Sequence, residues 1–253
     1  MRLTEYLLAA TPTSAHLDLI HCTTVGQGIE VFDRGQLVPT PCAEYGADLL
    51  YLFYGRPAYK AAAGIDASAI LDLAPIAFVL DPSLLASVVR VLPFDSGGFS
   101  RYGPLLGLGL TRPDFELSND PDAPMRLVGA FYQSNRSYFD QDPATSEEDI
   151  PISVRTARAY ARLIADKAIR NVDDRASTIE LQFSTAIPLA NALKAIVAPS
   201  QMLDDPEVLA ALALCPDAVP IPYKTYGRFE PLSFAHTLYE RIDIFLESRG
   251  AFA

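Results

Sequence analysis

The run from Leu17 to Tyr59 constrains the fold more than any other part of the chain. Leu17, Leu19 and His21 alternate with Asp18, Ile20 and Cys22, and both phases carry apolar residues. That pattern predicts a strand covered on both faces, with its last residues opening onto a site. Thr24-Val25-Gly26-Gln27 fits the S/T-x-x-E/Q capping box, so a helix is predicted to begin there. Arg34-Gly35 predicts its end, a cation in the last turn followed by a residue free to turn left-handed. From Asp48 the chain reads Leu49-Leu50-Tyr51-Leu52-Phe53-Tyr54, a buried strand in most folds, and it breaks at Gly55-Arg56-Pro57. Pro57 biases Arg56 toward extended backbone, and the guanidinium fork suits a diphosphate or carboxylate.

At 253 residues with half of them apolar, the chain can bury a substantial core. It carries no apolar run of membrane-spanning length, and Glu5 interrupts the apolar N-terminal stretch, so a cytoplasmic protein without a membrane partner is expected. Cys22, Cys42 and Cys215 are odd in number and widely spaced, which indicates neither a disulfide framework nor a zinc site. Of the three histidines, His16 and His21 are five residues apart and His236 is remote, and with no cysteine pair beside them they give no local support to any metal site. A formal net charge of -11 opposes non-specific binding to phosphate backbones.

Along the rest of the chain, residues 3–10 read as a short helix and 36–47 as an irregular connection. Residues 58–72 read as helical, 75–80 as a buried strand and 84–91 as a helix. Leu92 to Phe99 is a turn whose paired Gly97 and Gly98 allow close backbone approach to a ligand, although it reads more simply as a loop. Val128 to Tyr132 reads as a strand. Between Asp140 and Asp149 stand five acids and no base, which predicts a mobile acidic surface loop around 137–153. Arg155, Arg158 and Arg162 then form a stripe on a helix, more simply a solvated face than a contact for an anionic partner. In Thr178 to Phe183, Ile179, Leu181 and Phe183 take one face and Thr178, Glu180 and Gln182 the other. A helix at 186–193, a strand at 195–197, a helix at 205–214, a short segment at 219–223 and a final helix opened by Pro231 complete the reading. No linker divides residues 1–253, so a single domain is expected.

His21-x-Thr23, a helix closing at Gly35, and an aromatic strand leading through Phe53-Tyr54-Gly55-Arg56-Pro57-Ala58-Tyr59 resemble the front half of ADP-ribosyltransferases. The likeness is to the DarT type of nucleic-acid-modifying toxin. It covers about residues 17–60, with fainter echoes at 75–99 and 176–198. It implies an α+β fold in which surrounding helices flank a split, mostly antiparallel sheet, with NAD as cosubstrate. The implied product is a macromolecule, nucleic acid or protein, carrying ADP-ribose. A toxin or phage-defence setting, with an antitoxin or inhibitor protein as partner, belongs to the same resemblance.

Breaking the nicotinamide–ribose bond builds an oxocarbenium-like cation that a carboxylate must stabilise. Glu180 stands on the polar side of a late strand, where the resemblance puts the catalytic glutamate. The resemblance also implies that His21 bonds a ribose of NAD, that Thr23 and Gln27 help to place the nucleotide, and that Arg56 holds the diphosphate or assists proton removal. Tyr51, Tyr54 and Tyr59 are the aromatic candidates for nicotinamide, or else pack in the core. The chain departs from DarT-like sequences in carrying Gly26-Gln27 where an asparagine is usual, and in lacking Ser-Pro-Met after the arginine. Thr178, two residues before Glu180, argues against transferases that use Gln or Glu there to modify protein side chains. Plain NAD hydrolysis, and an inactive nucleotide-sensing or protein-binding module, are the alternatives. Cys22 and His21 do not form a dyad, because neighbours on a strand face opposite ways.

Overall fold

The computed structural model describes residues 1–59, 68–165 and 174–252. In chain order its strands are β1 (Leu19–Thr24), β2 (Gln36–Leu37), β3 (Thr40–Cys42), β4 (Ala47–Tyr54), β5 (Pro75–Leu80), β6 (Arg90–Leu92), β7 (Glu180–Phe183), β8 (Ile187–Pro188), β9 (Leu193–Pro199) and β10 (Val219–Tyr223). The chain divides into two compact units. One comprises Asp18–Leu84 with Ser184–Arg249, and the other comprises Met1–Leu17, Leu85–Phe183 and the C-terminal residues from Gly250. The architecture is α+β, with strands paired mostly antiparallel and helices around them.

In the sheet unit the strand order is β10-β9-β5-β1-β4, with β3 on β4 and a separate β2–β8 pair. Every residue of β5 is buried, as expected of a continuous apolar strand at the centre of a covered sheet. β1 lies antiparallel to β5 along its whole length, from Leu19↔Leu80 to Thr24↔Pro75. Its pairing with β4 stops early, after Leu19↔Tyr54 and Ile20↔Phe53. β9 pairs antiparallel with β5, and β10 adds to β9 in parallel. β10 carries Pro220 and Pro222; two residues apart, they direct their missing N–H groups to one side, which suits an outer edge.

The helix Val25–Arg34 starts and stops where predicted. Thr24 accepts a hydrogen bond from the Gln27 N–H at 3.5 Å, and Gly35 adopts φ 65° with its N–H returned to Phe32 and Val31. The capping box is only half made, because the Gln27 side chain pairs with the Thr23 hydroxyl instead. Asp205 caps the helix Pro206–Leu212 by accepting from two backbone N–H groups, and the helix Ala235–Ser248 buries Leu238, Ile242 and Phe245 as its spacing predicts.

The second unit corrects several expectations. Residues 128–132 are not a strand: Met125, Leu127, Val128 and Phe131 are buried on the helix Ala123–Phe131, and three of the spacings among them are helical. The expected helix at 84–91 is a 3-10 turn, Pro82–Ser87, followed by β6, which pairs with β7 from far along the sequence. In the sheet unit, residues 186–193 hold β8 and only one helical turn, Leu189–Ala192. The first helix is shorter than expected, Leu3–Leu7. Of the helix expected at 58–72, residues 60–67 lie outside the described residues; Ser68 bridges Phe229 and Leu71–Leu73 form a 3-10 turn.

The acidic stretch contains built structure. Asn135–Phe139 is helical, Glu147–Asp149 is a 3-10 turn boxed by Ser146, and Glu147 receives both Arg158 (3.0 Å) and Arg162 (2.6 Å). Arg155 donates to the Leu108 carbonyl at 2.7 Å. The arginine stripe therefore ties down neighbouring chain.

Gly129 sits inside a helix, where alanine is ordinarily favoured by about 1 kcal/mol. Here a Cβ would lie 2.1 Å from the Thr11 carbonyl oxygen, a backbone atom that cannot swing aside. Gly129→Ala is expected to lower the urea midpoint, reversing the sign set by helix propensity. An unchanged or raised midpoint would contradict the close approach.

Candidate functional site

The sheet unit contains a cavity of about 280 Å³ lined by the ends of β1 and β4 and by one face of the helix between them. Its origin is the short β1–β4 ladder. Beyond Ile20↔Phe53 the two strands carry no further paired positions, and the residues past that point line the cavity: His21, Cys22 and Thr23 on one strand, Leu49, Leu50 and Tyr51 on the other. The His21 side chain replaces the lost ladder, its Nδ1 lying 2.9 Å from the Tyr51 carbonyl oxygen. A carbonyl only accepts, so the proton resides on Nδ1 and Nε2 is left as an acceptor. Burial holds the imidazole pKa below its ordinary value, partly opposed by the bond to Tyr51, which keeps the ring neutral.

Thr23, buried on β1, gives its hydroxyl proton to Oε1 of the exposed Gln27 and so fixes that amide at the cavity wall. Tyr51 is half-buried and donates its hydroxyl to Cys42 Sγ at 2.8 Å. Glu30 and Arg34, paired at 2.9 Å, add a charged pair to the lining. Cys22 also lines the cavity, but burial pushes its thiol pKa up, so it is no nucleophile at neutral pH.

Four of the residues singled out in the sequence thus meet at one cavity: His21, Thr23, Gln27 and Tyr51. Tyr54, Tyr59 and Arg56 are not among its lining residues. Tyr54 is completely buried and Tyr59 half-buried. At the end of β4, Gly55 turns the chain with φ 67° and gives its N–H to the Asp18 carbonyl at 2.9 Å. Arg56 follows, its side chain wholly buried, with Nη2 3.3 Å from the Tyr239 hydroxyl.

In the other unit, Glu180 is 1% exposed rather than set on a solvated strand face. Its Oε2 accepts from the Ser96 N–H at 3.0 Å and its Oε1 from Gln182 Nε2 at 2.7 Å. The turn that carries Ser96 is closed by Asp95, which accepts from the Gly97 N–H and pairs with Arg175 at 2.9 Å. The paired glycines flagged in the sequence thus belong to a turn that serves the carboxylate. Asp95, Ser96, Arg175 and Gln182 were not singled out as site residues, because the contacts that make them so join segments remote in sequence. Burial pushes the Glu180 pKa up to about 7; the Asp95 charge adds to this, while the bonds from Gln182 and Ser96 oppose it.

An unfolded glutamate titrates near 4.5, so the contribution to stability is complete below that value and is lost as pH rises through about 7. Glu180→Gln, which cannot ionise, is expected to be more stable relative to the parent at about pH 8 than at about pH 5. A urea-midpoint difference that ignores pH would contradict the raised pKa.

No protein-family model and no curated protein matches the chain. Solved structures of DarT from Thermus sp. 2.9 do. The complex with ADP-ribosylated ssDNA aligns at 13% identity over 85% of this chain and 98% of that one, with a TM-score of 0.40. The complex with NAD+ aligns at 13% identity over 83% and 95%, with a TM-score of 0.40. The complex with carba-NAD+ gives 14% identity over 82% and 95%, with a TM-score of 0.38. The chain thus bears a distant likeness in form to DarT.

Proposed function

We propose that this chain is an NAD-dependent ADP-ribosyltransferase that carries ADP-ribose to a macromolecular acceptor, nucleic acid or protein. The observation that carries the reading is the meeting of His21, Thr23, Gln27 and Tyr51 at one cavity, with His21 Nε2 left as an acceptor for a ribose hydroxyl. Its volume of about 280 Å³ lies just below the ~300–1,000 Å³ common for small-molecule pockets, so it suits one half of a dinucleotide. Thr23 and Gln27 bound the nucleotide, and Tyr51 offers its ring to the base.

In this reading Glu180 is the carboxylate that stabilises the ribosyl cation as the C1′–nitrogen bond breaks. The bonding pair leaves with nicotinamide, the acceptor attacks C1′, and the acceptor's proton passes to a base. Arg56 serves the diphosphate or that proton transfer. Tyr54, with no exposed surface, is assigned to packing, and Tyr59 remains the aromatic alternative. An antitoxin or inhibitor protein is the partner expected of a toxin or defence effector.

A second reading, NAD hydrolysis with water as acceptor, is favoured by charge. The net charge is -11, and the arginines nearest to a basic stripe are engaged by Glu147 and by backbone carbonyls. Neither feature attracts a polyanion.

The test is nicotinamide release from NAD by the purified protein, alone and with nucleic acid or cell extract. The parent is expected to release nicotinamide, and Glu180→Ala to lose about a hundredfold or more. Release that rises with one added fraction supports transfer, and release indifferent to additions supports hydrolysis. Absence of both NAD binding and release would overturn the reading. Because the ionised carboxylate is the working form, the rate is expected to climb with pH through about 7. A rate that falls over that range would contradict the assignment of Glu180.

A further inference from the structure

Glu180 and Gln182 are two residues apart on β7 and share a face, and Arg90 of β6 lies directly across from Gln182. Gln182 is completely buried. Its amide is read in one orientation, because Arg90 Nη1 reaches Oε1 and an arginine only donates. The oxygen must face Arg90, so the Nε2 hydrogens face Glu180 Oε1, 2.7 Å away, and Ser96 Oγ, 3.4 Å away. Arg90 is itself steadied by Glu116 at 3.4 Å.

We propose that Gln182, turned by Arg90, is the positioning residue that holds the Glu180 carboxylate in one orientation and as the anion. This deepens the reading of Glu180 as the carboxylate of the reaction and rests on it. A buried carboxylate without donors reverts to the acid, which cannot stabilise a ribosyl cation. Among the described residues of this unit, the charged groups around Glu180 are Asp95, paired with Arg175, and Arg90, one amide away. Asp95 favours the acid form, while Gln182 and Ser96 favour the anion. Gln182 also carries the cation's influence inward, since its amide turns the negative oxygen to Arg90 and the positive N–H to Glu180. Without the arginine, only the ionised carboxylate still holds the amide this way round, and once Glu180 is protonated the amide can reverse and accept from its O–H.

The test uses the full chain with Gln182→Met, Arg90→Met and Arg90→Lys. Protein labelled with ¹³C at glutamate carboxyls gives the Glu180 midpoint directly, the resonance being assigned by its loss in Glu180→Gln. Losing a donor to a charged group is expected to raise the midpoint by about one to two units in Gln182→Met. Arg90→Met is expected to follow in the same direction, and Arg90→Lys, which keeps a donor and a charge, to stay closer to the parent. In nicotinamide release, kcat at about pH 7 is expected to fall about tenfold in Gln182→Met with KM for NAD unchanged, and to recover at higher pH. A residue serving packing alone would lower the rate at every pH.

Should Gln182→Met not fold, Arg90→Met, altered at a partly exposed side chain, carries the test. Midpoints equal to the parent in the folded variants would overturn the proposal. A parent that releases no nicotinamide would overturn the enzymatic reading instead, and the carboxyl titration would still decide what Gln182 does.

Discussion

The early end of the β1–β4 ladder is the constraint on which the candidate site depends. β1 is held along its whole length by β5, and β5 is buried throughout, so β1 cannot move to follow β4. Two paired positions join β1 to β4, and beyond them the strands share no register. Splayed strands expose backbone groups that normally pair, and each unpaired buried carbonyl is costly. His21 meets that need at Tyr51, and in doing so acquires a fixed tautomer. Structural repair and a directed acceptor thus arise from one hydrogen bond, with the cavity as the space between the strands.

The other unit handles a carboxylate under opposing demands. Burial and the neighbouring Asp95 favour a neutral Glu180, whereas the Ser96 N–H and the Gln182 amide favour the anion. The outcome near neutrality makes both forms accessible at ordinary pH, which a solvated glutamate does not offer. Gly97 and Gly98 make the turn that aims the Ser96 N–H, and the Asp95–Arg175 pair holds that turn in place.

Local signals made the opening legible. The Thr24 cap, the stop at Gly35 and the apolar runs of β1 and β4 each rest on neighbours in sequence, and each appears as expected. The strand expected at 128–132 rests on too short a window: taken back to Met125, the buried positions 125, 128 and 131, and 127 and 131, repeat at helical spacing. β6 was misread because its partner is β7, whose pairing no local pattern announces. The alternation in β7 sorted the side chains correctly by face, yet its polar face is buried, and only the remote turn at Asp95 explains how that is tolerated. Strand parity could have separated the tyrosines: Tyr51 and Tyr54 are three residues apart on β4 and point opposite ways, and only Tyr51 lines the cavity. The alternation puts Gln182 on the polar face with Glu180, but a glutamine matters there only once Arg90 and Glu180 are known to flank it.

The central claim is that the gap between β1 and β4 takes a nucleotide through the acceptor nitrogen of His21. Nitrogen-15 NMR of the imidazoles tests it most directly, because the chain has three histidines and His21→Ala identifies the resonances. The free protein is expected to show His21 neutral with its proton on Nδ1, and NAD is expected to shift the Nε2 resonance of that ring while leaving the others in place. A His21 ring protonated on Nε2, or one that ignores saturating NAD, would contradict the account.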